Sequence, residues 1–128
     1  MEAGTRAHGP VPAAQVWERY AVPDRWPTWA PQISRVEADA ARIAPGVTGL
    51  VHGPLGLRAR FTIVEVDEQR RTWGWRVRVG PLTLRLWHGV ALHPAGSETW
   101  LRARGPAVVL AAYLPVARIA LHRLVTRA

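Results

Sequence analysis

The 128-residue chain is 48% apolar and contains no cysteine, which excludes disulfides, thiol catalysis and thiolate-ligated zinc. All 17 basic residues are arginine, and against nine acidic residues they leave a net charge of +8, so an anionic partner has to be weighed. The length suits a single domain, residues 1–128, burying about 70% of the surface that its unfolded chain exposes.

At the N-terminus, "MEAGTRAHGP" lacks the apolar core of a secretion signal. The longest apolar run, Ala107 to Ala117, falls well short of the roughly 20 residues that span a bilayer. A soluble, cytoplasmic protein is expected. "VPAAQVWERY" reads as a first helix, because Pro12 suits an early helical position and Val16 pairs with Tyr20 one turn later. Pro23 stops it, and "DRWPTWAP" follows as a turn or a single helical turn, since Pro27 and Pro31 restrict the residues before them.

From Ile33 the period changes to two. Strands are predicted near Ser34 to Asp39, Val47 to His52, Leu57 to Val66, Thr72 to Val79, Leu82 to Leu92 and Glu98 to Arg104. Their short connectors imply an antiparallel meander. Alternation puts Phe61, Ile63, Trp73, Trp75, Leu84, Leu86, His88 and Leu101 on one face. Arg58, Arg60, Arg76, Arg78, Arg85, Arg102 and Arg104 fall on the other. A further strand before the first helix could come only from Glu2 to His8, where the pattern is poor. Pro106 to Ala128 reads as one long helix, with Leu110, Leu114, Ala117, Leu121 and Leu124 at helical spacing and Pro115 expected to kink it. This helix is apolar nearly all round, which suggests cover on more than one face and hence a homodimer.

No G-x-S-x-G elbow, phosphate-cradling glycine loop or H-E-x-x-H motif is present, and neither a metal nor a cofactor is expected. His88 and His93 lie five residues apart on one strand and should point to opposite faces. His88, on the apolar face with an ordinary pKa near 6.5, is the candidate general acid or base. Its competing reading is a buried, hydrogen-bonded core histidine. Trp26, Trp29, Phe61, Trp73, Trp75, Leu86 and Tyr113 are the candidates for ligand contact, with plain packing as the alternative for the inward aromatics. The arginine face with Trp87 and Trp100 offers a further reading, a basic surface for single-stranded nucleic acid.

"VPAAQVWERYAVPDRWPTWAPQI", "IVEVDEQRRTWGW", "WHGVAL" and "GSETWLRARGP", in that order, resemble the START-like or SRPBCC superfamily, in particular its polyketide cyclase/dehydratase branch. The resemblance implies an α+β helix-grip fold. A curved antiparallel sheet of six to seven strands wraps the C-terminal helix, short helices follow the first strand, and an apolar cavity lies between sheet and helix. It implies a hydrophobic small molecule as partner and either of two functions. One is an enzyme that cyclises or dehydrates a polyketide-like or aromatic intermediate, with His88 moving the proton. The other is a carrier or sensor of a lipid or quinone-like ligand. Aromatase/cyclases of the family carry an arginine in the strand matching Leu57 to Val66, at about the position of Val64. Only a bulge reversing the alternation would turn Arg58 or Arg60 inward instead. In the same family the "DRWPTWAP" segment builds the end wall of the cavity, so Trp26 is expected as a wall or plug and Trp29 as a brace.

Overall fold

The computed structural model describes residues 1–127, and Ala128, the last residue of the expected C-terminal helix, lies outside the described residues. β1 (Glu2–Gly9) leads into α1 (Ala13–Ala21), a 3-10 turn at Pro23–Arg25 and the single turn α2 (Trp26–Trp29). Six strands follow, β2 (Arg35–Ala38), β3 (Thr48–His52), β4 (Arg58–Asp67), β5 (Thr72–Val79), β6 (Leu82–His93) and β7 (Gly96–Arg104), before α3 (Ala107–Thr126). The strands form one antiparallel sheet in the order β1-β7-β6-β5-β4-β3-β2. This is the helix-grip architecture.

The poorly patterned N-terminus does form a strand, paired with β7 from Glu2 opposite Arg104 to Gly9 opposite Ser97. Its inward positions are Ala3, Thr5 and Ala7, which are half-buried. They are small because α3 lies directly against β1 and β7. A strand that must admit a helix backbone closely carries little hydrophobic signal, so its alternation is hard to read.

Elsewhere the expected alternation holds: Phe61, Ile63, Trp73, Trp75, Leu84, Leu86 and Leu101 are buried, and every arginine of the outer face except half-buried Arg85 is exposed. A bulge does interrupt β4, with Val64 as the extra residue between the paired Ile63 and Glu65. It lies beyond Arg58 and Arg60, so their parity is unchanged and both remain exposed.

α3 is seated unevenly. Ala117, Ala120, Leu121, Leu124 and Val125, all in its C-terminal half, are buried, whereas Leu110 alone is buried before Pro115. The helix continues through Pro115, which occupies an exposed position. At 20 residues, α3 is long and apolar enough to cross a membrane by length and composition, but here it is the core helix of the grip. Within the single chain, Val108 and Ile119 of this all-round apolar helix are exposed.

The seated end is fixed by polar contacts. Helix C-termini leave carbonyls without intrahelical partners. Val11 N–H donates to the Val125 carbonyl at 3.0 Å, and Arg19 Nη1 donates to the Leu124 carbonyl at 2.8 Å. Gly9 makes this approach sterically feasible, because a Cβ there would lie 2.4 Å from the Val125 oxygen. Nearby, the Tyr20 hydroxyl donates to Thr99 Oγ1 at 2.6 Å, and Thr99 in turn donates to the Gly89 carbonyl at 2.9 Å, so this buried polar pair is satisfied. On the surface Arg42 grips Glu68 through two 2.8 Å bonds and Glu18 through one of 2.6 Å, joining α1 to the β4–β5 turn. Gly9→Ala should therefore unseat the end of α3 and lower stability by about 1–3 kcal/mol in urea denaturation. A variant as stable as the parent would show that α3 does not depend on this contact.

Candidate functional site

The interior divides into a filled half and an open half. On the filled side, Trp26 Nε1 donates to the Tyr20 carbonyl at 2.8 Å, and Trp29 Nε1 donates to the Arg19 carbonyl at 3.1 Å. Both acceptors belong to the end of α1, so the two indoles satisfy carbonyls that the helix leaves free and dock the "DRWPTWAP" segment onto it. The Trp26 ring then packs on Phe61, Trp73 and Trp75 at centroid distances of 5.3, 5.7 and 5.1 Å. Trp26 is 1% exposed and sits among aromatic core side chains.

His88 lies at the edge of this cluster, 4% exposed and stacked on Trp73 with ring centroids 4.7 Å apart. Its Nε2 accepts a hydrogen bond from Trp75 Nε1 at 3.1 Å. An indole N–H can only donate, so Nε2 is unprotonated and the ring hydrogen sits on Nδ1. Nδ1 has no hydrogen-bond partner among the described residues. Burial pushes the imidazole down from 6.5 to about 3, so His88 is neutral at physiological pH. A neutral imidazole whose lone pair is engaged offers chemistry through its N–H.

The open half is an apolar cavity of about 510 Å³ between the sheet and the N-terminal half of α3. Val77, Leu84 and Leu86 form its floor, Val109, Ala112 and Tyr113 its roof, and Trp75 with Ile33 its inner wall. Its rim includes Leu57, Leu82 and Val108, all exposed, so it opens to solvent. Burial pushes the Tyr113 phenol up to about 12, which keeps the hydroxyl protonated. A second, much smaller chamber of about 30 Å³ lies behind the inner wall, bounded by residues that include Trp26, Trp29, Trp73 and His88.

Of the residues singled out from sequence, Trp75, Leu86 and Tyr113 line the large cavity, while Trp26, Trp29, Trp73 and His88 line only the small chamber. Phe61 lines neither; it packs between Trp26, Trp75 and Gly49, where a Cβ would lie 2.5 Å from its ring. Val77 and Leu84 could have been found by strand parity, but Gln32, which touches both spaces, lies in a turn and carries no periodic signal. His93 faces away from His88 and stacks on His8 at 4.5 Å. On the outer face the guanidiniums of Arg85 and Arg102 each lie 4.7 Å from the centre of the Trp87 ring, and Arg102 and Arg104 pair with Glu2. That indole surface is already engaged by the protein's own cations.

A curved seven-stranded sheet gripping a C-terminal helix over an apolar cavity defines the helix-grip class. The crystal structure of Ara h 8.0201 superposes with a TM-score of 0.70 over 94% of this chain and 95% of that one, at 17% identity, which establishes the shared fold. The family described as polyketide cyclase / dehydrase and lipid transport matches residues 4–128, and the chain belongs to it. No curated protein matches significantly.

The burial of His88 has a measurable consequence. The unfolded chain takes up its proton as pH falls through 6.5, whereas the folded protein refuses it until about 3. The stability held by neutral His88 is therefore complete above 6.5 and is lost progressively as pH falls from 6.5 towards 3. Between pH 7 and 5 the parent should lose about 2 kcal/mol more than His88→Phe in urea denaturation. Parallel losses would mean that the imidazole is hydrated in the folded state.

Proposed function

We propose that this protein binds one apolar, ring-bearing small molecule, of polyketide-like or quinone-like shape, in the cavity beneath the N-terminal half of α3. The observation that carries this reading is the 510 Å³ apolar space itself, whose size falls within the range of small-molecule sites and whose inner wall is aromatic. Membership of a family that covers both cyclisation and lipid transport supports the same substrate class.

Carriage or sensing is the function best supported, because His88 is neutral, lies outside the lining of the large cavity and has its lone pair engaged by Trp75. A second reading, cyclisation or dehydration, is favoured by the unpartnered Nδ1–H. In it His88 donates a hydrogen bond to a substrate carbonyl, solvent water entering the open cavity takes the proton from the adjacent carbon, and the β-hydroxyl takes up that proton as it leaves as water. Arg58 and Arg60 are exposed and take no part in either.

Ala112→Trp fills the roof from a position that is exposed to solvent and outside the buried core. It should weaken binding of 2-methylnaphthalene at least about tenfold, by loss of the buried apolar contact, while thermal stability is retained. Unchanged affinity would place the ligand elsewhere. The two functions separate on 4-hydroxy-4-(2-naphthyl)butan-2-one, whose dehydration to the conjugated enone is followed by absorbance. Carriage predicts no turnover above buffer, and a rate abolished in His88→Phe, which has no N–H to donate, would establish the dehydratase.

A further inference from the structure

Three residues that bound the small chamber behind the inner wall carry buried polar atoms with no partner among the described residues: Gln32 Oε1, Trp73 Nε1 and His88 Nδ1. Trp73 is 2% exposed and His88 4%, so neither donor is relieved by bulk solvent. A buried polar group left unpaired is costly, and three around one space are a pattern rather than scatter. Two of them, Trp73 Nε1–H and His88 Nδ1–H, are donors, the latter because Trp75 occupies the other ring nitrogen. Gln32 Oε1 is an acceptor.

A hydroxyl group presents one O–H donor and two acceptor lone pairs, which is the complement of this set. The chamber measures about 30 Å³, more than the volume a single water-sized group requires. It meets the large cavity along Gln32, Ile33, Trp75 and Tyr113, which line both. We propose that the chamber is a recognition subsite for one hydroxyl oxygen, phenolic, enolic or alcoholic, borne by the end of the ligand whose apolar body fills the large cavity. The proposal rests on the binding function above and adds its specificity: the apolar space selects size, and the chamber selects a molecule hydroxylated at its inner tip.

2-Naphthol and 2-methylnaphthalene, nearly equal in shape, test it by calorimetry. An apolar site without polar partners favours the methyl compound, because burying an unpaired hydroxyl is unfavourable. The expected result is the reverse, with 2-naphthol bound at least about tenfold more tightly, and that preference lost in Trp73→Phe while 2-methylnaphthalene binding persists. In the parent protein, whose fold is not in question, NMR should show the Trp73 indole and His88 ring N–H resonances shifting strongly with 2-naphthol but little with 2-methylnaphthalene. Equal or methyl-favouring affinity, with those resonances unmoved by 2-naphthol, would overturn the subsite and leave the cavity function standing. That outcome assigns the chamber to a water. Binding of neither compound overturns both.

Discussion

The hydrogen bonds from Val11 and Arg19 to the last carbonyls of α3 pin one end of the helix to α1 and the segment that leads into it, and the rest of the interior follows from that anchorage. Gly9 and the small inward residues of β1 let the C-terminal half come down close. With that end fixed, the N-terminal half stands over the curved sheet at a distance its short side chains, Val109 and Ala112, do not fill. The cavity is thus a geometric result of one tight end and one loose end on a single helix. The bulge at Val64 is of the kind that bends and twists a strand.

The aromatic residues partition the space left beneath the helix. Trp26 and Trp29 are committed to α1, and Trp75 to His88, each through its indole N–H. Their rings fill the interior from the α1 side up to the inner wall, where Trp75 turns one surface towards the large cavity. Trp73 differs, being equally buried but with its N–H unmatched. The polar character of the interior is therefore confined to one small pocket behind a wall of indole, while the larger space beside it is almost wholly apolar. That division separates recognition by shape from recognition by hydrogen bonding.

Much of the architecture was legible because strand parity is a direct record of burial: Trp73 and Trp75 against Arg76 and Arg78 could hardly be read another way. β1 was obscure for the opposite reason, since Ala3, Thr5 and Ala7 are selected for smallness beneath α3. The inward direction of His88 followed from its register, but its state did not. Only the three-dimensional placement of Trp75 Nε1 reveals which nitrogen is occupied. The position of the bulge was likewise invisible, because a bulged valine has the same local sequence signature as a paired one. Gln32 was missed because its role depends on a turn bringing it between two spaces lined by other elements.

The roof of the cavity is built from residues that contribute little to holding the helix. Val108, Val109, Ala112 and Val116 line it, whereas the fully buried contacts of α3 belong mainly to Ala117, Ala120, Leu121, Leu124 and Val125. Exchanges at the roof change bore and depth at small thermodynamic penalty, and exchanges at the anchored end threaten folding itself. Ligand preference can consequently drift by single substitutions on a frame that stays intact. A helix-grip structure at 17% identity and a TM-score of 0.70 shows how far the sequence can change while that frame is kept.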